Sequence, residues 1–178
     1  MILEKIISGG QTGADIAGVR AAHNMGLKVG GTMPRGFRII DGFRPDWGMK
    51  FGFVEHPSPD YPPRTECNVQ DSDATIRIAH NFQSRGESLT LKLIRKHGKP
   101  HFDVPVPNVR LRGTAPMSTP VHAARWLIEN KVRVLNIAGN SEQTCPGIEW
   151  WAEQYVTDMI ASLRQLTRNP EGRPERFV

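Results

Sequence analysis

The stretch "KIISGGQTGAD", residues 5–15, constrains the fold more than any other. Apolar residues run into Ser8-Gly9-Gly10, and a helix-forming segment begins directly afterwards. A short buried strand that passes through glycines into a helix is the opening half of a βαβ unit. Glycine permits positive φ and lets other atoms approach the backbone closely. The helix start adds unpaired N–H groups and a positive dipole end, which together favour an anion. Gln11 and Thr12 supply side-chain donors, and Asp15 stands in the first turn, where it can cap amides or accept from a ligand hydroxyl. The stretch lacks Gly-x-Gly-x-x-Gly, and no Lys-Ser or Lys-Thr follows, so it is neither the dinucleotide fingerprint nor a P-loop.

The same alternation continues along the chain. Residues 14–25 predict a helix with Gly26 as its stop, and 27–30 a second strand. Residues 75–79 predict a strand, 88–97 a helix closed by Gly98, and 101–104 a strand. Residues 108–118 read as loop. Thr119 is placed to cap a helix over 119–130, with Pro120 at its first position. Residues 133–138 predict an apolar strand and 148–166 the last helix. The expectation is an α/β, Rossmann-like, open and mostly parallel sheet with helices on both faces. Ligands of such sheets lie beyond the carboxyl ends of the strands, near the switch point. That places residues 9–12, 80–87 and 139–146 in one neighbourhood.

Residues 31–66 interrupt the pattern with six prolines and many glycines. Phe37, Phe43, Trp47, Phe51, Phe53 and Tyr61 supply burial, so the segment is expected to be an ordered, irregular excursion packed on the sheet. The domain reading is one Rossmann-like domain over 1–166 followed by a mobile polar tail, 167–178.

Composition narrows the function. The 178 residues carry a formal net charge of +5, which suits an anionic ligand. No apolar run approaches the ~20 residues of a membrane span, and the first residues lack a signal-peptide core, so a cytoplasmic protein is expected. Two distant cysteines, Cys67 and Cys145, make no disulfide framework. The six histidines show no zinc spacing, and no protein-held metal is expected. No Lys/Arg cluster with interleaved aromatics points to nucleic acid. Trp150 and Trp151, about 100° apart on a helix, cannot both face the core.

The segments "SGGQTGAD", "RTECNVQDSDAT", "LTLKLIRKHGKP" and "LNIAGNSEQTCPGI" resemble the molybdenum cofactor carrier family, within the Rossmann-like, lysine decarboxylase-like nucleotide-binding superfamily. The resemblance spans about residues 6–156. It implies a homo-oligomeric binding protein for the molybdenum cofactor, a pterin with a terminal phosphate, rather than an enzyme with catalytic residues. The positions it implies for the ligand are Gly9, Gly10, Gln11, Thr12, Gly13, Asp15, Arg35, Asp71, Ser72, Arg85, Gly86, Asn136, Gly139 and Asn140; Arg64, Thr65, Glu66, Asn68, Asp73 and Glu142 also match its motifs.

Three departures stand out. Met33-Pro34-Arg35-Gly36-Phe37 replaces the family's Cys-Pro-Lys-Gly-Arg, Arg85-Gly86-Glu87 replaces Gly-Gly-Thr, and Asn140-Ser141 replaces Pro-Arg. A phosphoribohydrolase-like enzyme is the alternative reading. It calls for Pro-Gly-Gly-x-Gly-Thr-x-x-Glu near residues 84–91, and Glu87 stands at the wrong offset. For Arg64, a phosphate clamp competes with an ion pair to Glu66 or a bond to a loop carbonyl. For Asp71 and Asp73, ligand contact competes with local turn capping.

Overall fold

The computed structural model describes residues 3–106 and 118–168. Six parallel strands form the main sheet: β1 Lys5–Ser8, β2 Lys28–Met33, β5 Phe53–Glu55, β6 Ala74–Ala79, β7 His101–Pro105 and β8 Val134–Gly139. Their spatial order is β5-β2-β1-β8-β6-β7. Lys5 lies opposite both Lys28 and Val134, so β1 and β8 occupy the centre. A hairpin of β3 Arg38–Ile39 and β4 Gly42–Phe43 stands apart as a second, two-stranded sheet.

The helices divide by face, as a sheet buried on both sides requires. On one face α1 Ala14–Asn24, α5 Pro120–Glu129 and α6 Ile148–Arg168 pack over Ile6, Ile76, Ile78, Leu135 and Ile137. On the other, α3 Tyr61–Gln70 and α4 Arg85–Lys96 pack together through Val69, Leu93 and Ile94. The strand period of two explains the division. In β6, Ile76 and Ile78 enter the larger core while Arg77, between them, turns toward α4.

The expected α/β class and mostly parallel sheet are what the structure shows. The excursion is ordered, as expected, but it is not irregular. β2 runs on to Met33, and α2 Asp46–Phe51 is followed by β5, which adds an edge strand beside β2. Trp47, Phe51 and Phe53 close a second core with Ile16 and Val19 of α1. Pro62 and Pro63 fall in the first turn of α3, where a missing N–H costs no helical bond.

Two further boundaries shift, and one holds. α4 begins at Arg85 rather than 88, because Ser84 caps it by accepting from the Glu87 amide. Thr119 caps α5 through the His122 amide, and Pro120 stands at its start, as expected. α6 continues to Arg168, so Thr167 and Arg168 are helical; the rest of the expected tail, and residues 108–117 of the expected loop, lie outside the described residues. Trp151 stacks on Tyr155 and packs against the core, while Trp150 is exposed. No helix among the described residues is long and apolar enough to cross a membrane.

Candidate functional site at the carboxyl edge

The turn after β1 is built as its sequence suggests, with Gly10 at φ 66° and Gly13 at φ 84°. A side chain at Gly13 would also strike the backbone of Asn140–Glu142, so glycine is required there twice over. The amides, however, are not free. Gly10 N–H donates to Ser8 Oγ, Gln11 N–H to Asp15 Oδ2 and Thr12 N–H to Gln11 Oε1. Gly13 N–H donates to Glu149 Oε2, and Ala14 N–H to the Asn140 carbonyl. The expectation of unpaired amides is therefore corrected for residues 10–14, whose N–H groups are engaged by side chains and the neighbouring loop.

Positive charge reaches the turn from α3 instead. The Arg64 guanidinium meets Gly9 through its Nη1 end; a Cβ there would fall 1.4 Å from Nη1. Arg64 pairs with Asp15 Oδ2 at 3.3 Å, not with Glu66, which binds Lys96 and His97. The expected pairing of Arg64 with Glu66 is thus corrected to one with Asp15. Arg64 Nε and Thr12 Oγ1 are buried without a hydrogen-bond partner among the described residues. Burial pushes the Asp15 carboxyl above the ordinary range, with Arg64 acting against that shift.

A second buried charge set adjoins the first. Arg77 binds Asp103 through Nε at 2.9 Å, and its Nη1 stands 3.7 Å from Glu87 Oε2. Arg77 and Glu87 are each 2% exposed. Desolvation raises the Glu87 carboxyl to about 7, Arg77 opposes this, and the charges of Asp15 and Asp103 add to it. Glu87 is therefore enclosed beside Arg77 rather than presented to solvent as a free carboxylate.

Two side chains fix the loops around this edge. Asn140 Oδ1 accepts from the His80 and Asn81 amides, and its Nδ2 donates to the Asn81 carbonyl, joining the β6 and β8 loops. Glu149 holds the Gly13 amide and Arg20, while Glu142 caps α6 through the Gly147 and Glu149 amides. Gly139 lets β8 approach β6, since a Cβ would fall 2.0 Å from the Ile78 carbonyl oxygen.

The sequence-named residues separate into two groups. Gly9, Gly10, Gln11, Thr12, Gly13, Asp15, Gly139 and Asn140 gather at the carboxyl ends of β1 and β8. Arg35 follows β2 on the same edge, and Arg85 and Gly86 open α4 after β6. Asp71 and Ser72 do not join them. They precede β6, at the amino edge of a parallel sheet, where Ser72 Oγ donates to the Val69 carbonyl and the Asp71 amide caps α3. Asp73 there accepts from the Arg133 and Val134 amides, which enter β8 some 60 residues away, so its partners are tertiary rather than those of its own turn. Asn136 lies inside the sheet, donating to Thr75 Oγ1, away from any edge. Glu149 carried no sequence signal: it is distant in the chain and reads as an ordinary helical glutamate.

Fold and edge together define a Rossmann-like α/β protein whose polar switch point is held by a buried Arg64–Asp15 pair. The chain belongs to the circularly permutated YpsA SLOG family, whose family model matches residues 6–160. It is similar to a crystal structure described as "Putative molybdenum carrier protein" from Syntrophus aciditrophicus SB. The two share 32% sequence identity with a TM-score of 0.73, over 91% of this chain and 95% of the other. No curated protein matches. These matches bear out the resemblance read from the sequence.

Proposed function

We propose that the protein binds and carries a phosphate-bearing small molecule, with the molybdenum cofactor as its ligand. The observation that supports this is Arg64, whose Nη1 end meets Gly9, with its Nε and the Thr12 hydroxyl both unpartnered among the described residues. A guanidinium is a two-pronged phosphate receptor, and a hydroxyl donates a further bond. The name of the similar crystal structure adds to this reading. As the resemblance implies, the carrier acts as a homo-oligomer, and the sequence reading places it in the cytoplasm.

One observation favours an enzyme instead. A carboxyl raised to about 7, as at Glu87, is matched to proton transfer near neutral pH. Against it, Glu87 is buried, paired with Arg77 and set inside α4. The experiment is to denature the purified protein and identify released small molecules by mass spectrometry and pterin fluorescence after oxidation. A pterin phosphate is the expected result. A free base released from a supplied nucleoside monophosphate, lost on Glu87→Gln, would replace the carrier reading with the phosphoribohydrolase-like one.

A further inference from the structure

Beside the turn lies a cleft that the phosphate contacts leave unused. It has a volume of about 620 Å³ and is lined by Arg35, Arg38, Ile40, Phe43, Glu55 and Pro59, among others. A second cleft of about 560 Å³ continues it past Arg38 and Pro59 to Tyr61 and Pro63. Volumes of this size suit a small organic ligand, and apolar walls with a few polar groups are the usual lining of such sites. The surfaces here are flat ones: a phenyl ring, a phenol, prolines and two guanidinium planes. Phe43 is 64% exposed and Ile40 44% exposed, although both belong to an ordered hairpin. Among the described residues, neither Arg35 nor Arg38 forms an ion pair.

The cleft is joined to the turn by two contacts. The Tyr61 ring carries Arg38 at 5.8 Å and Arg64 at 5.6 Å from its centroid, so one ring positions both guanidiniums. Gln11 Oε1 accepts from the Ile40 amide at 3.0 Å and from the Thr12 amide at 2.9 Å, tying the hairpin to the β1–α1 turn. A molecule whose phosphate reaches Arg64 therefore has the cleft as its neighbouring surface.

We infer that the cleft under the β3–β4 hairpin is the ring-binding half of the site, taking the planar heterocycle of a phosphate ester between Phe43 and the Arg38 guanidinium. The inference rests on the phosphate reading of Arg64 and assigns a separate job to separate residues. Stacking on Phe43 and Arg38 tolerates different ring systems, because every heterocycle offers a π-face. Gly36 keeps the platform flat: Phe43 lies over it, and a Cβ there would come within 3.2 Å of the ring.

The test is calorimetric titration of the full chain with three probes: neopterin 3′-phosphate, AMP, and the ring-less glycerol 3-phosphate. The ring-bearing probes should bind roughly tenfold or more tightly than glycerol 3-phosphate. Phe43→Ala and Arg38→Ala, both at exposed side chains, should each remove most of that advantage while leaving glycerol 3-phosphate unchanged. Arg64→Ala should weaken all three. If the ring advantage is absent, or survives both cleft variants while Arg64→Ala still weakens binding, the cleft assignment is wrong and the phosphate reading stands. If no probe binds, or Arg64→Ala changes nothing, the phosphate reading fails and the ring assignment falls with it.

Discussion

Gly9→Ala isolates the seating of Arg64 without touching Arg64 itself. The added Cβ would lie 1.4 Å from Nη1, 2.2 Å from Cζ and 2.9 Å from Nε. Ordinary contact needs about 3.5 Å, so the guanidinium must lift by roughly 2 Å. Its 3.3 Å pair with Asp15 cannot survive that movement. Deleting one partner of a buried ion pair costs about 3–5 kcal/mol. Here Arg64 is displaced toward solvent rather than deleted, so about 2 kcal/mol is expected. At roughly 2–4 °C per kcal/mol for a chain of this size, the melting temperature should fall by about 4–8 °C.

The pH dependence carries a sign. Without Arg64 the buried Asp15 carboxyl is harder still to ionise, so the deficit is largest at neutral pH. It shrinks as the pH falls and Asp15 takes up a proton. Loss of a charge-assisted contact worth about 1.5–3 kcal/mol should weaken neopterin 3′-phosphate roughly 10- to 150-fold. Thermal melts followed by circular dichroism at pH 5 and pH 7.5, with calorimetry at pH 7.5, provide both readings. A variant with unchanged melting temperature and affinity would refute the placement of Arg64 on the turn.

Glu87→Gln should flatten the stability profile between pH 4.5 and 7. The folded carboxyl is raised to about 7, so its favourable neutral state is fully present below pH 4.5 and stability is lost as the pH climbs through 7. The effect is about 3 kcal/mol at most, and parallel urea-midpoint profiles for variant and wild type would contradict it. Asn140→Ala removes the acceptor shared by the His80 and Asn81 amides and should cost about 2 kcal/mol in urea denaturation; an unchanged midpoint would mean the two loops are held by other contacts. Trp47→Ala empties the centre of the second core and should cost about 3–5 kcal/mol, whereas a surface-like loss below about 1 kcal/mol would mean the excursion contributes little to stability.

The regular parts of the fold were legible because local chemistry and burial agree there. β1, the glycine turn and the start of α1 follow from one eleven-residue stretch, and Thr119-Pro120 announces α5 by cap and fixed φ. The excursion was harder because proline signals a break on average but is harmless in a first helical turn, where Pro62 and Pro63 stand. β5 has three residues, too few for a pattern of period two to emerge. Glu87 fell inside α4 because a capping serine at 84 outweighs Gly86.

The site was legible as a location but not as a set of partners. That the β1 and β8 ends meet follows from a parallel sheet. That Arg64 crosses from α3 to cover Gly9, or that Glu149 reaches Gly13, depends on tertiary placement that spacing does not encode. Asp71 and Ser72 went astray for a simpler reason: residues that enter a parallel strand stand at the opposite edge from residues that leave one.

The central claim is that a phosphate group is received by Arg64 at the β1–α1 turn. A crystal structure of the protein with neopterin 3′-phosphate tests it directly. Phosphate oxygens are expected within hydrogen-bond distance of Arg64 Nε and the Thr12 hydroxyl. A phosphate bound elsewhere, with the Arg64–Asp15 pair undisturbed and Arg64 making no contact to it, would contradict the account.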